Sequence, residues 1–141
     1  MELETVAMGY IIHDSRILLV KHKKSGRFMS CGGHVEKNEL VQDALIREVK
    51  EELNLDVEII HEKQFENLTT ELATPFNVCY KELPNGNKVQ IFEYLCKVKS
   101  LENLKLLKCE LDEYKWFSLE DTKNSEDITP IVKEILIKIL Q

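Results

Sequence analysis

Hydrophobic positions along this chain change their period several times, and each change marks an element. Residues 6–13 (VAMGYIIH) and 17–22 (ILLVKH) are β-branched or aliphatic runs separated by Asp14-Ser15-Arg16. That order predicts a hairpin with a short polar turn. The first run alternates only in part, and the second is nearly continuous and so largely buried. From Val41 the spacing lengthens: Val41, Leu45, Val49 and Leu53 recur every fourth residue, with Ala44 and Ile46 beside them. This is the apolar stripe of a helix that packs on a core. Asn38 is the expected N-cap, and Glu39 is a favourable acid for the first turn. Asn54 is expected to end the helix in the left-handed conformation, with Leu55 folding back on Val49.

Beyond the helix the strand pattern returns. Val57-Glu58-Ile59-Ile60 is one such run. Phe76 to Tyr80 and Val89 to Val98 flank Leu83-Pro84-Asn85-Gly86-Asn87, and Asn-Gly between strands signals a hairpin. Tyr114 to Phe117 reads as a short strand, and Ser118 with Glu120 and Asp121 as a capped helical turn. Thr129-Pro130 opens a last helix whose apolar face is Ile131, Val132, Ile135, Leu136, Ile139 and Leu140. Strands, helix, strands and helix in this order predict one α+β domain over residues 1–141.

Composition narrows the function. A net charge of −6 disfavours a nucleic-acid polymer or a membrane surface as partner, because both ask for a basic face. The N-terminal MELETVAMG lacks the basic start and apolar core of a secretion signal, and no apolar run is long enough to span a bilayer. Cys31, Cys79, Cys96 and Cys109 form no CxxC pair and have no metal-ligand spacing. Scattered thiols of this kind fit a reducing cytoplasm. A homodimer is compatible with the sequence and is not required by it.

The candidate chemistry lies between Gly33 and Leu55, in GHVEKNELVQDALIREVKEELNL. Glu48, Glu51 and Glu52 stand at i, i+3 and i+4, so on a helix their carboxylates converge on one side and are expected to face outward. Like charges one turn apart repel. Such a string therefore marks either a solvated acidic face or a set of hard oxygen ligands. Hard oxygens suit Mg²⁺ or Mn²⁺, and the absence of histidine and thiolate from the helix disfavours zinc. Arg47 is placed to pair with Glu39 and hold the preceding loop on the helix.

These residues resemble the Nudix box, the signature of the Nudix (MutT-like) hydrolases. The family pattern is a glycine, five free positions, glutamate, seven free positions, Arg-Glu-aliphatic-x-Glu-Glu, one free position, glycine and an aliphatic residue. Gly33, Glu39, Arg47, Glu48, Val49, Glu51, Glu52 and Leu55 match it, and Cys31-Gly32-Gly33-His34-Val35-Glu36 is similar to the family's Pro-Gly-Gly-x-hydrophobic-Glu. Phe28 stands where an aromatic commonly precedes the glycine pair. Two positions depart. Asn54 replaces the last glycine, at a cost of about 1 kcal/mol for a left-handed residue that is not glycine. Cys31 replaces proline and is read as a small buried apolar residue. Neither departure removes a ligand.

The resemblance implies a Nudix fold, an α/β/α sandwich with a mixed central β-sheet. It also implies a pyrophosphohydrolase dependent on Mg²⁺ (or Mn²⁺) that cleaves a nucleoside diphosphate-linked small molecule by water attack at phosphorus. The small size favours a (deoxy)nucleoside triphosphate as substrate. ADP-ribose or another nucleoside diphosphate derivative is the alternative, and so is a regulatory module that binds nucleotide without turnover. Carried over, the metal ligands are Glu48, Glu51 and Glu52, with the carbonyl of Gly32, and Glu48 is a candidate base. Glu39 and Arg47 are supporting. Glu110, ahead of the Trp116-Phe117 strand, is the added catalytic glutamate, with Glu113 the runner-up. Arg27, Phe28 and Gly33 are expected to meet substrate. Lys23 and Lys24 share the basic loop with Arg27, His34 reads as a loop residue, and Phe76 and Tyr80 read more as core than as stacking platforms.

Overall fold

A computed structural model describes residues 2–67 and 70–141. Eight strands join one sheet: β1 (Leu3–His13), β2 (Arg16–His22), β3 (Phe28–Met29), β4 (Cys31–His34), β5 (Val57–Ile59), β6 (Asn77–Glu82), β7 (Lys88–Val98) and β8 (Leu111–Phe117). The helices are α1 (Val41–Leu53), α2 (Leu119–Asn124) and α3 (Pro130–Leu140). The main path runs β3-β2-β1-β7-β5, with β4 on β1, β6 on β7 and β8 on β2. β1 and β7 run parallel, from Leu3↔Lys88 to Ile11↔Cys96, and the other pairings are antiparallel. The sheet is therefore mixed.

Strand alternation sorts the core onto two faces. Ala7, Ile11, Leu18 and Val20 pack with Ala44, Leu45, Val49 and Leu53 of α1 on one face. Tyr10, Ile17 and Leu19 pack with Phe117 and with Val132 and Leu136 of α3 on the other. The expected α/β/α sandwich follows from that division. Leu55 is buried in the same cluster as Val49, as the fold-back requires.

Several boundaries differ from the sequence expectation. β1 begins at Leu3 rather than at residue 6, because Leu3 and Glu4 extend the parallel ladder with β7. Residues 28–34 hold two short strands where a lead-in loop was expected. Phe28 and Met29 pair back on Lys21 and Val20 of β2, and Cys31 to His34 pair with Gly9 to Val6 of β1. The cap of α1 is Leu40, without a side-chain cap bond, and not Asn38. Asn38 instead takes a positive φ of 65°, and the Glu39 carboxylate accepts the Glu36 N–H at 3.0 Å. Arg47 claims the same carboxylate, so the turn is built around that glutamate. The other end of α1 is as expected: Asn54 is left-handed (φ 56°, ψ 34°), and its N–H donates to the Lys50 carbonyl.

The two later helices start where their capping residues predict. Ser118 and Asp121 form a reciprocal capping box at α2, and Thr129 caps α3 ahead of Pro130. Phe28 is a correction of another kind. It is 4% exposed, its ring meets Phe117 edge-on at 5.2 Å, and its N–H donates to the Asp127 carbonyl at 2.9 Å. The ring belongs to the α3-side core and offers no face to a substrate.

Candidate active site

The box glycines are held by the sheet, and the glutamates are held by the glycines. Gly32 pairs with Met8 across β1–β4 and has a φ of 145°. A β-carbon there would collide with the Ala7 carbonyl oxygen, so no other residue fits. Its N–H donates to Glu52 Oε1 at 2.8 Å. At Gly33 a β-carbon would lie 2.5 Å from Glu48 Cδ. Both glycines therefore let carboxylates of α1 reach the β4 backbone. Gly33, expected to meet substrate, makes room for Glu48.

The carboxylates are less exposed than the expected outward face. Glu48 and Glu52 are buried, at 8% and 4% exposure, while Glu51 is open to solvent. Helix periodicity allows all three to share a side, but β4 and the segment before β8 cover the two nearest the sheet. Buried carboxylates require partners, and Arg47 supplies several. Its Nε donates to Glu39 Oε2 at 2.8 Å and its Nη2 to Glu39 Oε1 at 3.1 Å, a two-pronged pair. Nη2 also donates to the His34 carbonyl at 3.0 Å. Nη1 reaches Glu48 Oε1 at 3.0 Å and Glu51 at 3.4 Å. The bond from Arg47 holds the Glu39 carboxyl below its ordinary range, and Glu39 in turn raises the Arg47 pKa. The supporting pair thus locks loop, strand and helix together.

A lysine that the sequence did not single out completes the site. Lys108 Nζ lies 2.9 Å from Glu48 Oε2 and 3.7 Å from Glu51 Oε2. Partial burial works against its charge, but the bond to Glu48 and the nearby Glu52 and Glu51 outweigh this and raise its pKa. Nothing local in KLLKCEL marks this lysine, because its partners are sixty residues away. Burial pushes the Glu52 carboxyl up to about 7. The Gly32 N–H and Lys108 oppose the shift, while Glu48 and Glu110 add to it. Among the described residues no group of three or more His, Cys, Asp or Glu side chains already stands in metal-holding geometry. Lys108 lies between Glu48 and Glu51, and Glu52 is turned onto Gly32.

The remaining expected residues separate. Glu110 is close enough to Glu52 to raise its pKa, and its carbonyl accepts the Lys23 N–H at 3.0 Å. Glu113 sits on β8 in an ion pair with Lys21 at 3.5 Å. Of the two acids, Glu110 is therefore the one near the box. The Arg27 carbonyl accepts the His22 N–H within the exposed basic loop. The His34 ring meets the Glu4 carboxylate at 3.3 Å, away from the glutamates of α1. Cys31 is buried in the core, as expected, and burial raises its thiol well above the ordinary value. Phe76 and Tyr80 are exposed rather than core. A third buried carboxyl, Glu93, lies at 6% exposure; its Oε2 has no hydrogen-bond partner among the described residues, and burial raises its pKa. One acid inside the apolar run IFEYLC is its only signal in the sequence.

The NUDIX domain model matches residues 3–138. This chain belongs to the Nudix family. Its fold is similar to the crystal structure of a NUDIX-family hydrolase from Clostridium perfringens, with a TM-score of 0.87 and 26% identity over 99% of this chain and 97% of that one. The MutT Nudix hydrolase of Burkholderia pseudomallei shares the fold at a TM-score of 0.73 and 24% identity, over 98% of each chain. A curated ADP-ribose pyrophosphatase of Methanocaldococcus jannaschii is 46% identical over 50 residues, covering 33% of this chain and 30% of that protein. The matched stretch thus spans less than a third of that relative's length. Among the described residues no helix is long and apolar enough to cross a membrane.

Proposed function

We propose that this Nudix chain is a Mg²⁺- or Mn²⁺-dependent pyrophosphohydrolase that cleaves a nucleoside diphosphate-linked small molecule, with water attacking phosphorus. The observation that carries this reading is Glu52. Its carboxylate is buried and held on the Gly32 N–H at 2.8 Å, on the same helix turn as buried Glu48 and exposed Glu51. A donor set of Glu48, Glu51, Glu52 and the Gly32 carbonyl is all hard oxygen, which fits a divalent cation and not a soft one. Such a cation supplies neutralisation of phosphate oxygens and activation of water when bound.

The chain's own residues do the rest. Arg47 and Glu39 fix the rotamer of Glu48, and the Gly32 N–H fixes that of Glu52. Glu48 or Glu110 is the proton acceptor for the attacking water. The exposed basic loop with Lys23, Lys24 and Arg27 is joined to Glu110 through the Lys23 backbone and offers positive charge to a polyphosphate. A (deoxy)nucleoside triphosphate is the first reading of the substrate, since its polyphosphate offers several oxygens to the basic loop and to a cation. ADP-ribose is the second reading, favoured by the name of the M. jannaschii relative across the matched 50 residues.

The test is a panel of nucleoside triphosphates and ADP-ribose incubated with Mg²⁺, with products resolved by chromatography. The expected result is cleavage that stops on chelation and in Glu52→Gln. No cleavage of any member, or an unchanged rate in Glu52→Gln, overturns the reading.

A further inference from the structure

Lys108 lies on the segment between β7 and β8, and that segment is fastened to the last turn of α1. The Lys105 N–H donates to the Leu53 carbonyl at 3.0 Å, and the Leu107 N–H to the Glu52 carbonyl at 2.9 Å. The Asn54 side-chain amide donates to the Asn103 carbonyl at 3.1 Å. These three bonds fix the lysine's backbone beside the carboxylates. Its ammonium then bridges Glu48 Oε2 and Glu51 Oε2 at 2.9 and 3.7 Å. Those are two of the oxygens that the proposed function assigns to a divalent cation. An ammonium and a divalent ion on the same oxygens would repel each other strongly at such separations.

We propose that Lys108 is the site's own displaceable counter-ion: its ammonium neutralises Glu48 and Glu51, and a divalent cation binds those oxygens by displacing it. The proposal rests on the metal reading above and adds a competitor drawn from the chain itself. A lysine suits this part, since its charge is compact and rides on a flexible stem. Its side chain is 29% exposed, so the ammonium can swing to solvent while the backbone stays bonded to α1. The consequence is a site that keeps Glu48 and Glu51 neutralised without metal and binds metal less tightly than the carboxylates alone would.

The test is calorimetric titration of Mg²⁺ and Mn²⁺, without nucleotide, into the wild-type chain, Lys108→Met and Lys105→Gln, together with metal-free melting midpoints. Lys108→Met is expected to bind metal about fivefold tighter, the scale of a partly exposed ion pair, and to melt lower without metal. Lys105→Gln removes the same charge from the same segment and is expected to leave affinity within about twofold. Unchanged or weaker binding in Lys108→Met overturns the proposal, as does an equal gain in Lys105→Gln. Wild-type protein that takes up no metal overturns both this proposal and the metal reading beneath it. NMR of the lysine ammonium groups in the wild-type chain gives an answer that needs no variant. The Lys108 signal should shift as Mg²⁺ saturates the site, and a signal unmoved at saturation overturns the proposal.

Discussion

Gly33 and the carboxylate of Glu48 compete for the same space: a β-carbon on the glycine would lie 2.5 Å from Cδ and 2.7 and 2.8 Å from the carboxylate oxygens. The side chain of Glu48 therefore rests on the β4 backbone, and its present rotamer does not coexist with an alanine at 33 without movement. Gly33→Ala should expel that carboxylate and break its bonds to Arg47 and Lys108. Overpacking of this kind costs about 1–3 kcal/mol, readable by urea denaturation. Misplacing a reacting group should also lower kcat/KM about a hundredfold. A wild-type rate in this variant would mean that Glu48 does not need its present position.

Arg47 tests geometry at constant charge. Its two-pronged contact with Glu39 and its reach to Glu48 use the planar guanidinium, which a lysine lacks. Arg47→Lys should weaken metal binding by about tenfold or more, the usual effect of losing a group that orients a ligand. Calorimetry with Mn²⁺ reads this directly. Equal affinity in the two proteins would reduce Arg47 to a charge.

Asn54 carries a family departure whose cost can be measured. The left-handed conformation costs a side chain about 1 kcal/mol relative to glycine. Against that, the Asn54 amide donates to the Asn103 carbonyl at 3.1 Å, a bond of about 1 kcal/mol. Asn54→Gly should consequently leave stability within about 0.5 kcal/mol, since one term offsets the other. Asn54→Ala loses the bond and keeps the strain, and should be about 1–2 kcal/mol less stable. A large gain in Asn54→Gly would show that the bond to Asn103 contributes little.

Glu52 sets a pH dependence with a definite sign. Its folded pKa, near 7, lies above the ordinary carboxylate value of 4.5, so the folded state holds the extra proton between those values. The stability from this group is full below pH 4.5 and is lost as pH rises through 7. The metal-free protein should lose roughly 2–3 kcal/mol of it across that window. Glu52→Gln should flatten the slope in a series of denaturation curves. Metal binding requires the ionised carboxylate, so Mg²⁺ affinity should rise over the same window. Affinity that stays constant across that window would remove Glu52 from the ligand set.

Much of the site is legible in the sequence, because its pattern is local. The spacing of Val41, Leu45, Val49 and Leu53 specifies a helix and its buried face. The same periodicity places Glu48, Glu51 and Glu52 within a turn of one another, and Asn54 marks the helix end. The pairing of Arg47 with Glu39 is also within reach, since strand, loop and helix follow each other directly. The N-cap departs from expectation for a reason equally local: Glu39 serves Arg47 and the Glu36 N–H, and the turn gives Asn38 a left-handed conformation instead of a cap.

The box, its helix and the chemical character of its donors follow from the order of residues alone, because each depends on neighbours a few positions apart. Which of those donors are buried, and by what, is settled by the folded chain. Gly32 and Gly33 reach α1 because β4 is in register with β1. Phe28 turns into the α3-side core because Asp127 and Phe117 meet it there. Lys108 joins Glu48 across sixty residues, because the segment before β8 is bonded to the end of α1. Contacts of that kind depend on strand register and chain return, which no short window of sequence records.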